Sequence, residues 1–147
     1  MSNSLFRRVV APVATPDDAA TTADALVPHV TGTDSTVVAV HVIEKAGGAP
    51  DKASVAQREQ YASDVFDVFA DGFEDTGLTL ETDLRYGTDV AATIIDAAHD
   101  NDASAIVFTP RGGSRWRKLL TGDVTHKLVT ESNVPILSLS DREVNEA

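Results

Sequence analysis

The chain contains no cysteine, which excludes disulfide bonds, thiolate nucleophiles and cysteine-ligated metal sites. Lysine is scarce too, occurring at positions 45, 52, 118 and 127. With 12 basic residues against 23 acidic ones and a net charge of −11, the composition disfavours general binding to nucleic acids and to anionic membrane surfaces. No apolar run approaches the ~20 residues of a membrane span, and MSNSLFRRVV lacks the apolar core of a signal peptide. We therefore expect a soluble, cytoplasmic protein without membrane insertion.

The acidic surface with little lysine is typical of halophilic proteins, in which concentrated salt screens the repulsion between carboxylates. An ordinary acidic cytosolic protein is the alternative interpretation. A length of 147 residues predicts a single domain spanning the chain, with a charged tail from about residue 141.

No catalytic constellation and no metal site is predicted. The four histidines (His29, His41, His99 and His126) lie on separate predicted elements without close ligand spacing. The segment GGSR lacks the Gly-x-Ser-x-Gly pattern of a serine nucleophile. His41 falls within a predicted strand, next to an expected crevice, and a hydrogen-bonded strand histidine is favoured there over a ligand contact.

Apolar strand-like runs alternate with helical patterns, which predicts an α/β fold with five parallel strands and helices on both faces. The expected strands are 9–13, 35–43, 78–84 (closing at Gly87), 105–108 and 135–139. The expected helices are 16–30, 51–76, 89–99 and a last helix whose inner face carries Val124, Leu128 and Val129. Alternating polarity makes the third strand a half-exposed edge.

The second helix carries an aromatic and apolar stripe at three- and four-residue spacings. It consists of Tyr61, Val65, Phe66, Phe69 and Phe73. The favoured interpretation is core packing over the sheet.

The segment TPRGGSRWRKLLTGDVT (109–125) follows the fourth strand, where open α/β sheets bind ligands. It concentrates Arg111, Arg115, Arg117 and Lys118 on an otherwise acidic protein, which favours an anion. Gly112 and Gly122 would let the backbone approach a phosphate at the start of the next helix. A plain glycine turn after Pro110 is the alternative.

This loop resembles the nucleotide loop of the universal stress protein family, Gly-x2-Gly-x9-Gly-(Ser/Thr). Its positions fall on Thr109, Gly112, Gly122 and Asp123, so two of the four match. The family's first strand usually ends in Pro-(Val/Thr)-Asp, with the Asp holding the adenosine end, and here the third position is Ala14. VVAVHVIE and SNVPILSL resemble the second and last strands. The resemblance implies the Rossmann-like, adenine nucleotide alpha hydrolase-like fold with strand order 3-2-1-4-5.

Two of the three departures, Ala14 and Asp123, predict weak or no ATP binding. The resemblance then implies a regulatory or stress-response module without enzyme activity, acting through a protein partner such as a membrane transporter. It also implies a homodimer formed through the last strand, residues 134–139.

The alternative is a nucleotide switch that binds ATP or AMP, with or without slow ATP hydrolysis. Its candidate site consists of Val13, Val42, Arg111, Gly112, Gly122, Asp123, Val124 and Thr125.

Overall fold

The computed structural model describes residues 4–44, 52–109 and 123–139. A short 3-10 turn (Ser4–Phe6) precedes the first strand. The strands are β1 (Arg8–Pro12), β2 (Thr36–Glu44), β3 (Thr79–Gly87), β4 (Ala105–Phe108) and β5 (Ile136–Ser138). The helices are α1 (Pro16–Val30), α2 (Lys52–Asp71), α3 (Val90–Asp100) and α4 (Asp123–Glu131). All strand pairs are parallel and the order is β3-β2-β1-β4-β5, which confirms the predicted fold class and strand order.

Strands β1 and β2 are buried on both faces, because their successive side chains point to opposite sides of the sheet and helices cover each side. Val9 and Val37 belong to the core formed with α1 and α2, whereas Val10 and Val38 face α3 and α4. All four are 0 or 1 % exposed. This two-sided burial explains why β1 and β2 are nearly continuous apolar runs.

Side-chain caps determine where two of the helices begin. Thr15 Oγ1 accepts a 3.0 Å hydrogen bond from the Asp18 backbone N–H, and Pro16 occupies the first turn of α1. Asp89 Oδ1 accepts from Ala92 N–H at 3.1 Å and caps α3 in the same way. Both starts agree with the predicted ones.

Helix α2 ends five residues earlier than predicted. From Gly72 onward the backbone tightens into bonds three residues back, with Gly72 N–H donating to the Phe69 carbonyl and Phe73 N–H to the Ala70 carbonyl. Here α1 and α2 approach closely, since a Cβ on Gly72 would lie 2.6 Å from Ala23 Cβ. The tight turn still buries Phe73, to 6 % exposure.

Two side chains predicted for the core lie at the surface. Tyr61 is 43 % exposed, because this part of α2 covers an open cavity rather than the closed core. Val129 is 61 % exposed, whereas its neighbour Leu128 is buried. Adjacent helical residues are separated by about 100° around the axis, so only one of this pair can face the sheet. The rest of the α2 stripe is buried or half-buried as predicted.

Strand β3 is the half-exposed edge that the alternation predicts, and polar side chains cover its α3 side. Asp83 accepts hydrogen bonds from Arg85 Nη2 (2.9 Å) and Asn101 Nδ2 (2.9 Å). Arg8 bonds the Asn101 carbonyl and reaches Glu81 Oε1 at 3.0 Å. Burial raises the pKa of Asp83, but the hydrogen bonds from Arg85 and Asn101 outweigh it and hold that pKa below the ordinary value.

Candidate functional site

The first two strands end at different heights, which opens a crevice at their carboxyl ends. The β1–β2 pairing stops at Pro12 and Val40, while β2 continues beside β3 to Glu44. A cavity of about 510 Å³ lies here, within the range typical of small-molecule sites. The described residues that line it are Ala14 after β1, His41, Val42, Ile43 and Glu44 of β2, and Gln57, Arg58 and Tyr61 of α2.

The Val42 backbone faces this crevice past the end of β1. Val13 N–H donates to the Val40 carbonyl at 2.9 Å, so Val40 presents its polar groups to β1. In a strand, alternate residues direct N–H and C=O to the same edge. Val42 therefore directs one donor and one acceptor toward the crevice.

The buried His41 side chain forms a hydrogen bond at the point where the β1–β2 pairing ends. Its Nδ1 lies 2.8 Å from the Val13 carbonyl oxygen, so Nδ1–H donates to that oxygen. The imidazole is 7 % exposed, with ring centroids 6.1 Å from Tyr61 and 6.3 Å from Phe66. The prediction of a hydrogen-bonded strand histidine is confirmed, and the same residue also lines the cavity.

Two contacts tie the first half of α2 to the strand ends. Arg58 Nη1 donates to the Glu44 carbonyl at 2.8 Å, at the end of β2. The Tyr86 hydroxyl donates to Glu59 Oε2, near the end of β3. The hydrogen bond to the Glu59 carboxylate raises the pKa of Tyr86. These contacts place Arg58 and Tyr61 on the α2 wall of the cavity.

The residue that follows β4 is anchored to α1. Thr109 and Thr22 are 0 and 1 % exposed, and their Oγ1 atoms lie 3.1 Å apart. Burial of a hydroxyl without a partner is costly, so this pair fixes the backbone at the position where segment 109–125 begins.

The helix that follows the same segment is anchored as well. Lys127 Nζ of α4 forms an ion pair with Asp89 Oδ2 at the start of α3. The hydrogen bond from Lys127, and then the one from Ala92 N–H, lower the pKa of Asp89. The start of α3 is thereby joined to the middle of α4.

A model described as the universal stress protein family matches residues 5–139. The chain belongs to the universal stress protein family. No curated protein matches it.

Solved structures agree with this assignment. A universal stress protein family member from Burkholderia pseudomallei has a TM-score of 0.69 at 21% identity, over 94% of this chain and 98% of that one. The protein from Archaeoglobus fulgidus in complex with dAMP has a TM-score of 0.60 at 21% identity, over 92% and 98% of the two chains. One from Arabidopsis thaliana with AMP bound has a TM-score of 0.66 at 14% identity, over 90% of each. At these identities the likeness shows the shared fold.

The predicted site residues of this universal stress protein fall into three groups. Val13, which is buried, and Val42, which is half-buried, lie together at the ends of β1 and β2. Asp123, Val124 and Thr125 form the first turn of α4, of which the structure describes the backbone. Arg111, Gly112 and Gly122 lie outside the described residues, as do Arg115, Arg117, Lys118 and the tail from about residue 141.

The α2 wall of the cavity, formed by Gln57, Arg58 and Tyr61, was not predicted from the sequence. One signal was available, since Tyr61 is the one member of the apolar stripe with a polar tip.

In the described ranges no cluster of three or more potential ligand side chains could hold a metal ion. No helix of those ranges is long and apolar enough to span a membrane.

Proposed function

We propose that this domain is a non-catalytic stress-response regulator of the cytoplasm that binds an adenine nucleotide weakly in the β1–β2 crevice and acts through protein partners. The observation that carries the proposal is the exposed donor and acceptor of Val42 next to Ala14, both lining the cavity. The backbone groups of Val42 could recognise a base, and Ala14 lacks the group that would hold a ribose.

Adenine fits the chemistry of the Val42 edge. Its ring nitrogen N1 accepts a hydrogen bond and the adjacent amino group donates one, which complements a backbone N–H and C=O on one residue. Ala14, Val42 and Ile43 supply apolar contacts, and the Tyr61 ring supplies an aromatic wall. A base in this position would lie beside Val42, in the space that β1 would fill if the strand continued.

Weak affinity follows from two side chains. The methyl group of Ala14 cannot accept a hydrogen bond from a ribose hydroxyl, and the loss of one such bond costs about 0.5–1.5 kcal/mol. The second is Asp123, a carboxylate residue at the first position of α4. Two like charges about 4 Å apart repel by roughly 4 kcal/mol at an effective dielectric of 20, before salt or nearby cations reduce it. A triphosphate should suffer more from this than a monophosphate.

A nucleotide switch that binds ATP or AMP, with or without slow ATP hydrolysis, is the second candidate. It is favoured by the relatives from A. fulgidus and A. thaliana, which were solved with dAMP and AMP. In both proposals the protein is a homodimer formed through residues 134–139, and its partner could be a membrane transporter.

Calorimetric titration with AMP and ATP separates the two. We expect the wild type to bind AMP weakly and Ala14→Asp to tighten AMP by about threefold to tenfold, the value of one hydrogen bond. Asp123→Ser should tighten ATP more than AMP. Ala20→Asp, on the exposed side of α1, is the control that adds the same charge away from the cavity. Low-micromolar ATP binding by the wild type, with no gain from either change, would favour the switch and refute the weak-binding proposal.

A further inference from the structure

We infer that His41 is a positioning residue: by donating to the Val13 carbonyl it ends the β1–β2 pairing and leaves the Val42 N–H directed at the ligand. The identity of the ligand rests on the proposed function above. That the Val13 carbonyl accepts from His41 rather than from Val42 N–H does not depend on the ligand.

The register of the two strands shows which bond His41 replaces. Pro12 pairs with Val40, and Val13 N–H donates to the Val40 carbonyl at 2.9 Å. The next bond of a parallel ladder would run from Val42 N–H to the Val13 carbonyl. In the structure that oxygen accepts instead from His41 Nδ1 at 2.8 Å, and the pairing goes no further.

The imidazole is held in place for this role. It is 7 % exposed and packs near the rings of Tyr61 and Phe66, with centroids 6.1 and 6.3 Å away. A ring packed in this way loses little further freedom when a ligand binds. The cap on Val13 is therefore preorganised.

The position of His41 in the sequence also points to a specific role. It is the one polar residue in the run VVAVHVI of β2, and Val40 before it and Ile43 two residues after it are buried. A polar side chain buried there is costly unless it is hydrogen-bonded, and an aliphatic residue would pack without that cost. The histidine supplies the hydrogen bond to the Val13 carbonyl, which an aliphatic residue could not.

Two substitutions separate the hydrogen bond from the packing. His41→Asn keeps an N–H donor close to the position of Nδ1, whereas His41→Leu keeps an apolar volume and removes the donor. In His41→Leu the Val13 carbonyl becomes available to Val42 N–H, and the ladder can extend by one bond. Circular dichroism establishes that each variant is folded.

Amide hydrogen exchange by NMR measures the outcome without a ligand. We expect the Val42 amide of the wild type to exchange at least about tenfold faster than that of Val40, which lies inside the ladder. It should slow by about tenfold in His41→Leu and stay near the wild-type rate in His41→Asn. A Val42 amide already as protected as Val40 in the wild type, or equal exchange in all three proteins, would overturn the inference. The wild-type measurement decides even if His41→Leu does not fold.

AMP titration then tests the link to ligand binding. We expect His41→Leu to lose about threefold to tenfold in AMP affinity, because the nucleotide must displace one hydrogen bond, and His41→Asn to remain within about twofold. If the exchange pattern is as expected but no protein binds AMP, the proposed function fails while the role of His41 stands. If AMP binds all three equally, the positioning role is refuted and the proposed function survives.

Discussion

Thr22 and Thr109 join α1 to the end of β4 through a buried pair of hydroxyl groups, with their Oγ1 atoms 3.1 Å apart. The resemblance places a glycine of the nucleotide loop at position 109, so the threonine first stands out as a departure from the pattern. The structure shows that α1 supplies its hydrogen-bonding partner. The start of the loop is thus anchored by a side chain, which a glycine could not provide.

We predict that Thr109→Val and Thr22→Val each destabilise the protein by about 1–3 kcal/mol, because each leaves one buried hydroxyl without its partner. The double variant should be less destabilised than the sum of the two, since it removes both hydroxyl groups and keeps their shape. Urea unfolding of the four proteins measures this coupling. Strictly additive effects would show that the hydroxyl pair contributes nothing.

The polar network on β3 predicts a specific loss of stability in acid. The pKa of Asp83 is lowered in the folded protein, so its contribution is complete above the unfolded value of about 3.9 and is lost as the pH falls toward the folded pKa. Asp83→Asn should destabilise the protein by a constant amount between about pH 7 and 5. That difference from the wild type should shrink below about pH 4.

Urea midpoints at pH 7, 5 and 3.5 test this prediction. Asp96→Asn is a suitable control, because Asp96 is an exposed carboxylate on α3. A difference between Asp83→Asn and the wild type that persists unchanged to pH 3.5 would contradict the assignment.

The sequence was sufficient to predict the layers of this fold because strands β1 and β2 are buried on both faces. Residues such as Val9 and Val10, which face opposite sides, are both fully buried, and no helical or alternating period would produce that run. The alternation of β3 predicted its edge position in the same way. The strand order came from the family resemblance.

The sequence predicts a crevice at the carboxyl ends of the strands but not its α2 wall, because that wall depends on where neighbouring strands end. The period of α2 places Tyr61 on the same stripe as Val65 and Phe69, but β2 continues past β1, so Tyr61 lies over open space. The bond from His41 to Val13 likewise follows from the register of two strands that are distant in the sequence. Val13 and Val42 were predicted because the resemblance already carried that register.

The net charge of −11 predicts that salt stabilises this protein. Self-repulsion between carboxylates should weaken as KCl rises from dilute levels to about 1 M, where the Debye length is ~3 Å. We expect the melting temperature to climb over that range. A variant with Asp67→Asn, Asp71→Asn and Glu74→Gln, which neutralises three exposed carboxylates of α2 and the turn after it, should show a smaller rise. A salt-independent melting temperature of the wild type would contradict the halophilic interpretation.

The proposed homodimer can be tested through the outer edge of β5. Ile106 N–H donates to the Pro135 carbonyl at 2.9 Å, so the odd-numbered residues of this segment face β4 and Ser138 directs its N–H and C=O outward. Leu139 packs against the core, so a charge there would affect the monomer too. Ser138→Pro instead removes one outward donor and leaves the β4 pairing intact, because edge strands tolerate proline.

We expect light scattering to show a dimer for the wild type and for the control Ser138→Ala, which keeps the backbone N–H, and a shift toward monomer for Ser138→Pro. Circular dichroism should show the same folded spectrum for all three, because Ser138 is exposed and its backbone does not serve β4. The measurement belongs in about molar salt as well as dilute buffer, since repulsion between two acidic copies falls with screening. A wild type that stays monomeric at high concentration in both, or a Ser138→Pro variant as dimeric as Ser138→Ala, would contradict assembly through this edge.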